Sequence, residues 1–187
     1  MEHGSSKERE HSGMGYWRFA AMIATSVAVM FALTYLSTYT WSHVWYSEMR
    51  TYMALMMGAA MGVIMLAFML GMYRDRRVNI AIFAGCAVLF GVMLWLVRSQ
   101  DAVQDRSYMR SMIPHHSIAI LTSERSEITD YRVCELAEQI IIAQRREIKE
   151  MEWLIDDIAE NGEAATAEAA EARPVPKFEG SETRKGC

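Results

Sequence analysis

The chain has 187 residues, 52% of them hydrophobic, and a formal net charge of −4 from 19 basic and 23 acidic side chains. Its length would suit one soluble domain, but the apolar residues fall into blocks instead of spreading as a globular core requires. The modest negative charge and the lack of a basic stripe exclude a nucleic-acid partner, and the three cysteines form no CxxC or framework pattern.

In chain order, residues 1–15 read as a flexible N-terminus and 16–98 as a three-helix membrane domain. Three uncharged apolar stretches, 19–39, 52–73 and 78–97, can each cross a hydrocarbon layer about 30 Å thick at about 1.5 Å per residue. The first is longer than a secretory-signal core and precedes no small-x-small cleavage site, so it reads as a retained anchor. Tyr16 and Trp17 before it, Tyr39, Trp41, Trp45 and Tyr46 after it, and Trp95 in the third span stand where interfacial aromatic belts belong. Lys7, Arg9 and Arg18 precede the first span, and Arg74, Arg76 and Arg77 form the turn between the second and third. The loop between the first two spans offers only Arg50. The positive-inside rule then predicts a cytoplasmic N-terminus and an extracytoplasmic segment after Arg98.

The second stretch holds seven of the sixteen methionines, with Met53, Met57, Met61, Met65 and Met69 recurring every four residues. Each step of four advances about 400°, so the ladder winds around the helix and cannot line one ion site. It reads as packing material, with a soft-metal relay as the lesser alternative. Gly58 and Gly62 in the same stretch offer a small-residue surface for close helix contact.

Residues 99–160 read as two amphipathic helices. The first starts near Asp101, close enough to the third span to continue it, and carries YMRSMIPHHSIAIL, in which Pro114 predicts a kink or a fresh turn. The second opens at Thr129 or Asp130. Val133, Ala137, Ile140, Gln144, Glu147, Met151, Leu154 and Ile158 follow alternating four- and three-residue steps along it, a heptad seam. Two helices cannot enclose their own apolar stripes, so the hairpin predicts a partner, most simply a second copy completing a four-helix bundle. Residues 161–187 have the composition of a disordered tail.

At about 100° per residue, Met109, Met112 and His116 share one face of the first outer helix, while His115 points away toward a neighbouring helix. Gln144, Glu147 and Met151 repeat the spacing on the facing helix. Two thioethers and an imidazole suit Cu(I) or Ag(I), whereas hard ions want more carboxylates. The competing reading is structural: methionine on a seam is most often core, Gln or Glu there fixes register, and adjacent histidines cap hydrogen bonds. His43, in WSHVWY, reads as an interfacial residue on the same side as the hairpin and able to meet it.

YMRSMIPHHSIAIL followed by IIIAQRREIKEMEWL resembles the family known as domain of unknown function 305, with its Met-Ile-Pro-His-His run and later Gln-x-x-Glu-Ile-x-x-Met helix. MGYWRFAAMIATS and LGMYRDRRVNIAIFAG resemble its branch with three N-terminal spans. The resemblance implies a ferritin-like helical bundle outside the cytoplasmic membrane of a bacterium, in the periplasm, with a role in handling copper or a related metal. Its recurrent positions fall here on Met112, His115, His116, Gln144, Glu147 and Met151. Many members carry methionine where this chain has Thr122, and longer members hold two helix pairs, which favours dimerisation here.

The resulting expectation is an all-α, membrane-anchored Cu(I)-binding homodimer, with Met109, Met112, His115, His116, Glu147 and Met151 as ligands. Lipid and copper-handling proteins are the expected partners. No haem, nucleotide or flavin site and no catalytic motif is present in the sequence, so it is not expected to be an enzyme. The alternative is a metal-free structural or accessory subunit of a membrane complex. A di-metal oxidase would need several carboxylates and Glu-x-x-His pairs, which the hairpin lacks.

Overall fold

A computed structural model describes the backbone of residues 3–180 and side chains from residue 15 onward; the remainder of the expected N-terminal and C-terminal segments lies outside these residues. The helices are α1 His3–Leu33, α2 Glu48–Phe68, α3 Arg76–Ser99, α4 Asp105–Arg125, α5 Tyr131–Asn161 and α6 Ala167–Ala172, with a 3-10 turn at Trp41–His43. No strand occurs among the described residues, in agreement with the all-α expectation. Gly15–Leu33, Glu48–Phe68 and Arg76–Ser99 are long and apolar enough to cross a membrane.

Two of these spans differ in extent from the sequence reading. The first stops at Leu33 rather than reaching Tyr39. The hydroxyls of Thr34 and Thr38 donate to the carbonyls of Phe31 and Tyr35, giving the backbone a local alternative to further helix. α2 starts at Glu48 and ends at Phe68, ahead of the expected Tyr73. α3 is capped by Asp75, whose carboxylate accepts from the Arg77 and Val78 amides. It closes at Gln100, whose left-handed backbone (φ 60°) turns the chain away. The outer helix is therefore not a continuation of the third span; it begins afresh at Asp105.

The chain folds as two units, one taking it through Thr34 and again from Met49 to Ala102, the other taking Tyr35–Glu48 and the chain from Val103 onward. In the first, Phe19, Leu66 and Tyr73 form the buried centre, with Met65 and Met69 packed on it. Met53 and Met57 are 38% and 43% exposed, so the ladder winds from the outer surface into the helix contacts as its spacing requires. The closest contacts belong to small residues instead. A side chain at Gly58 would overlap Val27 of α1, and one at Gly62 would meet the Cys86 sulfur of α3 at 3.0 Å. Both glycines are buried within the chain's own helix packing, so they are not a surface kept for another copy.

In the second unit α4 packs along α5. Met109, Ile113, Ile120, Ile148 and Ile155 form its core, with Met151, Leu154 and Ile158 against them. The buried seam of α5 runs through Cys134, Ala137, Ile141, Ile148 and Ile155. It shares Ala137 with the expected stripe and otherwise falls one position beyond it, with Met151, Leu154 and Ile158 of that stripe at its edge. Val133, assigned to that stripe, is 49% exposed. The hairpin also finds cover within its own chain, because Tyr39 and Trp45 from the segment between α1 and α2 pack on this core. α4 holds Pro114 inside it without restarting, contrary to a fresh turn there.

Beyond Asn161 the chain shows more order than its composition suggests. Thr166 caps α6, Arg173 pairs with Asp157 at 2.8 Å and donates to the Gly162 carbonyl, and Lys149 donates to the Glu179 carbonyl. Residues 173–180 thus run back along α5. Cys134, only 3% exposed, is disulfide-bonded, a cross-link that the cysteine spacing did not reveal.

Candidate functional site

α4 and α5 bring His116 and Glu147 together. The His116 ring is buried, and its Nδ1 lies 2.9 Å from the Met112 carbonyl one turn earlier. A carbonyl only accepts, so Nδ1 is the donor in that contact. Nε2 lies 2.9 Å from Glu147 Oε2, with side-chain exposures of 10% for the histidine and 37% for the glutamate. Gln144 donates to the same carboxylate oxygen at 3.5 Å, and Arg146 approaches Oε1 at 3.9 Å. The polar interruption of the α5 seam is therefore a carboxylate turned toward the one buried imidazole of α4.

The remaining expected ligands divide. Met109 is 6% exposed in the core, and Met151 packs against that core from α5. Met112 is half-buried, one turn before His116, and contributes its carbonyl to the ring. His115 is exposed, with its ring centroid 6.2 Å from that of His116. The arrangement thus joins His116, Glu147 and Gln144 by hydrogen bonds. It sets Met109 and Met151 in one apolar cluster and leaves His115 outside. Among the described residues no group of three or more His, Cys, Asp or Glu side chains could hold a metal, so a metal here would have to draw on thioethers.

A second polar set escaped the sequence reading. Ser117, fully buried beside His116, accepts from the Tyr39 amide at 2.7 Å and lies 3.0 Å from His43 Nδ1. His43 does meet the hairpin, at a serine with no periodic signal of its own. Arg145 pairs with Glu124 at 3.1 Å and lies over the Tyr39 ring at 5.6 Å. Tyr39 is hydrogen-bonded to Glu124, which pushes its phenol above the ordinary range, and its burial adds to this. These contacts fasten residues 39–43 onto α4 and α5. They border a cavity of about 370 Å³ lined by His43, Arg145, Lys149 and Glu152 among others.

Burial holds the His43 imidazole below its ordinary value of 6.5. A group whose folded pKa is depressed contributes stability that is complete above the unfolded value and is lost as pH falls through the folded one. Glu152 works in the opposite sense, since burial, with the Asp156 charge adding to it, pushes its carboxyl up. The expected result is that His43→Asn removes an acid-sensitive part of hairpin stability. Between pH 7.5 and 5.0 the thermal midpoint of the parent should fall further than that of the variant, read by circular dichroism in detergent. Equal falls would remove His43 from the account.

The family model described as "Domain of unknown function (DUF305)" matches residues 95–183. The chain is 38% identical over 68 residues to "Uncharacterized protein L153" of Acanthamoeba polyphaga mimivirus, a match covering 35% of this chain and 45% of that protein. The chain therefore spans less than half the length of that relative. No solved structure matches. The matched stretch takes in the α4–α5 hairpin with its His116–Glu147 pair and the chain following it.

Proposed function

We propose that this protein is a membrane-anchored binder of soft monovalent metal, Cu(I) or Ag(I), acting in metal handling or tolerance and not as an enzyme. The observation that carries this reading is the buried His116 imidazole, whose Nε2 faces Glu147, on a hairpin whose two helices both bring methionine to their shared core. Nε2 of His116 and the thioethers of Met109, Met112 and Met151 are the donors that would hold the ion. Glu147, with Gln144 behind it, would keep the ring oriented and balance the charge. His115 is a weaker candidate because it is exposed.

On this reading the hairpin lies outside the cytoplasm, in the periplasm of a bacterial cell. The basic turn Arg74–Arg77 supports that sidedness, and the disulfide at Cys134 suits an oxidising compartment. A second copy is the partner we assign to the apolar residues left open on α5, among them Val133 and Leu136.

A metal-free accessory subunit is the second reading. It is favoured by one observation: both nitrogens of His116 already have hydrogen-bond partners, as in a purely structural histidine. Metal analysis of untagged protein purified from membranes separates the two. Copper or silver retained at about one ion per hairpin supports metal binding. Protein free of soft metal after growth in copper supports the accessory subunit.

A further inference from the structure

We propose that Arg18 and the groove beyond it on α1 form a binding site for an anionic phospholipid. The phosphate would sit on the guanidinium and one acyl chain would run along the groove. Arg18, Ala21, Met22, Val29 and Met30 line one wall at helical spacing, and Met61 of α2 contributes to the other, around an open volume of about 750 Å³. One end is therefore cationic and the rest largely apolar. Arg18 is exposed and makes no hydrogen bond or ion pair with any described residue, whereas uncharged polar side chains at this end of the unit have partners. Tyr16, for example, donates to Asn79 at 2.8 Å, and Asn79 donates to the Tyr73 carbonyl.

The dimensions fit one leaflet. Arg18 lies near the start of the span Gly15–Leu33, and its neighbour Trp17 is 74% exposed, the position of an interfacial aromatic residue. From Arg18 to Met30 a helix rises about 18 Å, close to the roughly 15 Å half-thickness of the hydrocarbon layer. The groove thus starts at headgroup depth and ends near the midplane, as a single lipid chain does. A second copy seated here by two-fold symmetry would bring one Arg18 toward the other at the same depth, an unfavourable pairing of like charges. An anionic lipid meets that charge with its opposite.

Methionine in this groove does not make it an ion site. Met22 and Met30 stand eight residues apart, about 12 Å along the helix, too far for both to hold one ion.

Native mass spectrometry of the full chain in detergent, with phosphatidylglycerol and phosphatidylcholine of identical acyl chains, tests the assignment. The parent should retain phosphatidylglycerol about fivefold better, the ratio corresponding to ~1 kcal/mol for a basic residue at an anionic surface. Arg18→Gln should bring that ratio close to one, while Arg98→Gln should leave it intact. Val29→Trp, which fills the groove, should reduce retention of both lipids. A headgroup preference that survives Arg18→Gln, or one lost equally in Arg98→Gln, overturns the proposal. So does a lipid-free dimer that Val29→Trp dissociates, because the groove would then belong to a second copy.

Discussion

Ile120→Ala should destabilise the hairpin unit by about 2–5 kcal/mol, the usual range for removing a large aliphatic side chain from a core that cannot collapse around the gap. Ile120 is fully buried, one of five residues forming the α4–α5 core, and it also lines the cavity bordered by residues 39–43. Its loss therefore reaches the α4–α5 contact and the segment clamped over it by Ser117. Leu121, the next residue on α4, is half-buried, and Leu121→Ala should cost clearly less. Thermal unfolding in detergent, followed by loss of helical signal, measures both. Similar small shifts for the two variants would mean that the hairpin is held from outside, by a partner rather than by this core.

Replacing Met112 by Leu and His116 by Gln together should abolish tight Cu(I) or Ag(I) binding while leaving the helices in place. Leu keeps the apolar volume of Met, an exchange that usually costs under about 1.5 kcal/mol. Gln can still donate toward Glu147, so the carboxylate is not left without a partner, yet an amide is a far poorer ligand for a soft ion than imidazole. Met57→Leu with Met61→Leu is the matching control on the ladder. Met57 is 43% exposed, and the close contacts of α2 run through Gly58 and Gly62, so this change should leave affinity nearly unaltered.

The helices and the three spans were legible because long uncharged runs and helical periodicity are local signals. Asp75 and Asp130 cap the helices they precede, and Thr129–Asp130 already marked the start of α5 in the sequence. The His116–Glu147 meeting was also legible, since His116 on one stripe and the polar pair Gln144 and Glu147 on the facing helix belong to one site in the sequence. The exact seam of α5 was not. Ile140, Ile141 and Ile142 are consecutive, so two neighbouring stripes are almost equally apolar, and contact with α4 selects the one through Ile141.

Hidden more deeply was the role of residues 35–48. Tyr39 meets Ser117 across 78 positions and His43 meets it across 74, and such pairings leave no period to read. Aromatic residues expected only at a membrane interface instead include two, Tyr39 and Trp45, that pack on the hairpin core. Likewise Gly58 and Gly62 announced a close helix contact without saying which helix would fill it. Val27 of α1 and Cys86 of α3 do so.

Competition of the purified parent with a Cu(I) chelator of known affinity tests the metal-binding proposal most directly, with the Met112→Leu/His116→Gln variant and the Met57→Leu/Met61→Leu control titrated beside it. The account predicts that the parent and the ladder control withdraw about one Cu(I) per hairpin from the chelator and that the outer-helix variant withdraws none. Binding that survives in the outer-helix variant but disappears in the ladder control would move the site into the membrane. A parent that withdraws no Cu(I) at all would contradict the proposal and leave His116 and Glu147 as a structural pair.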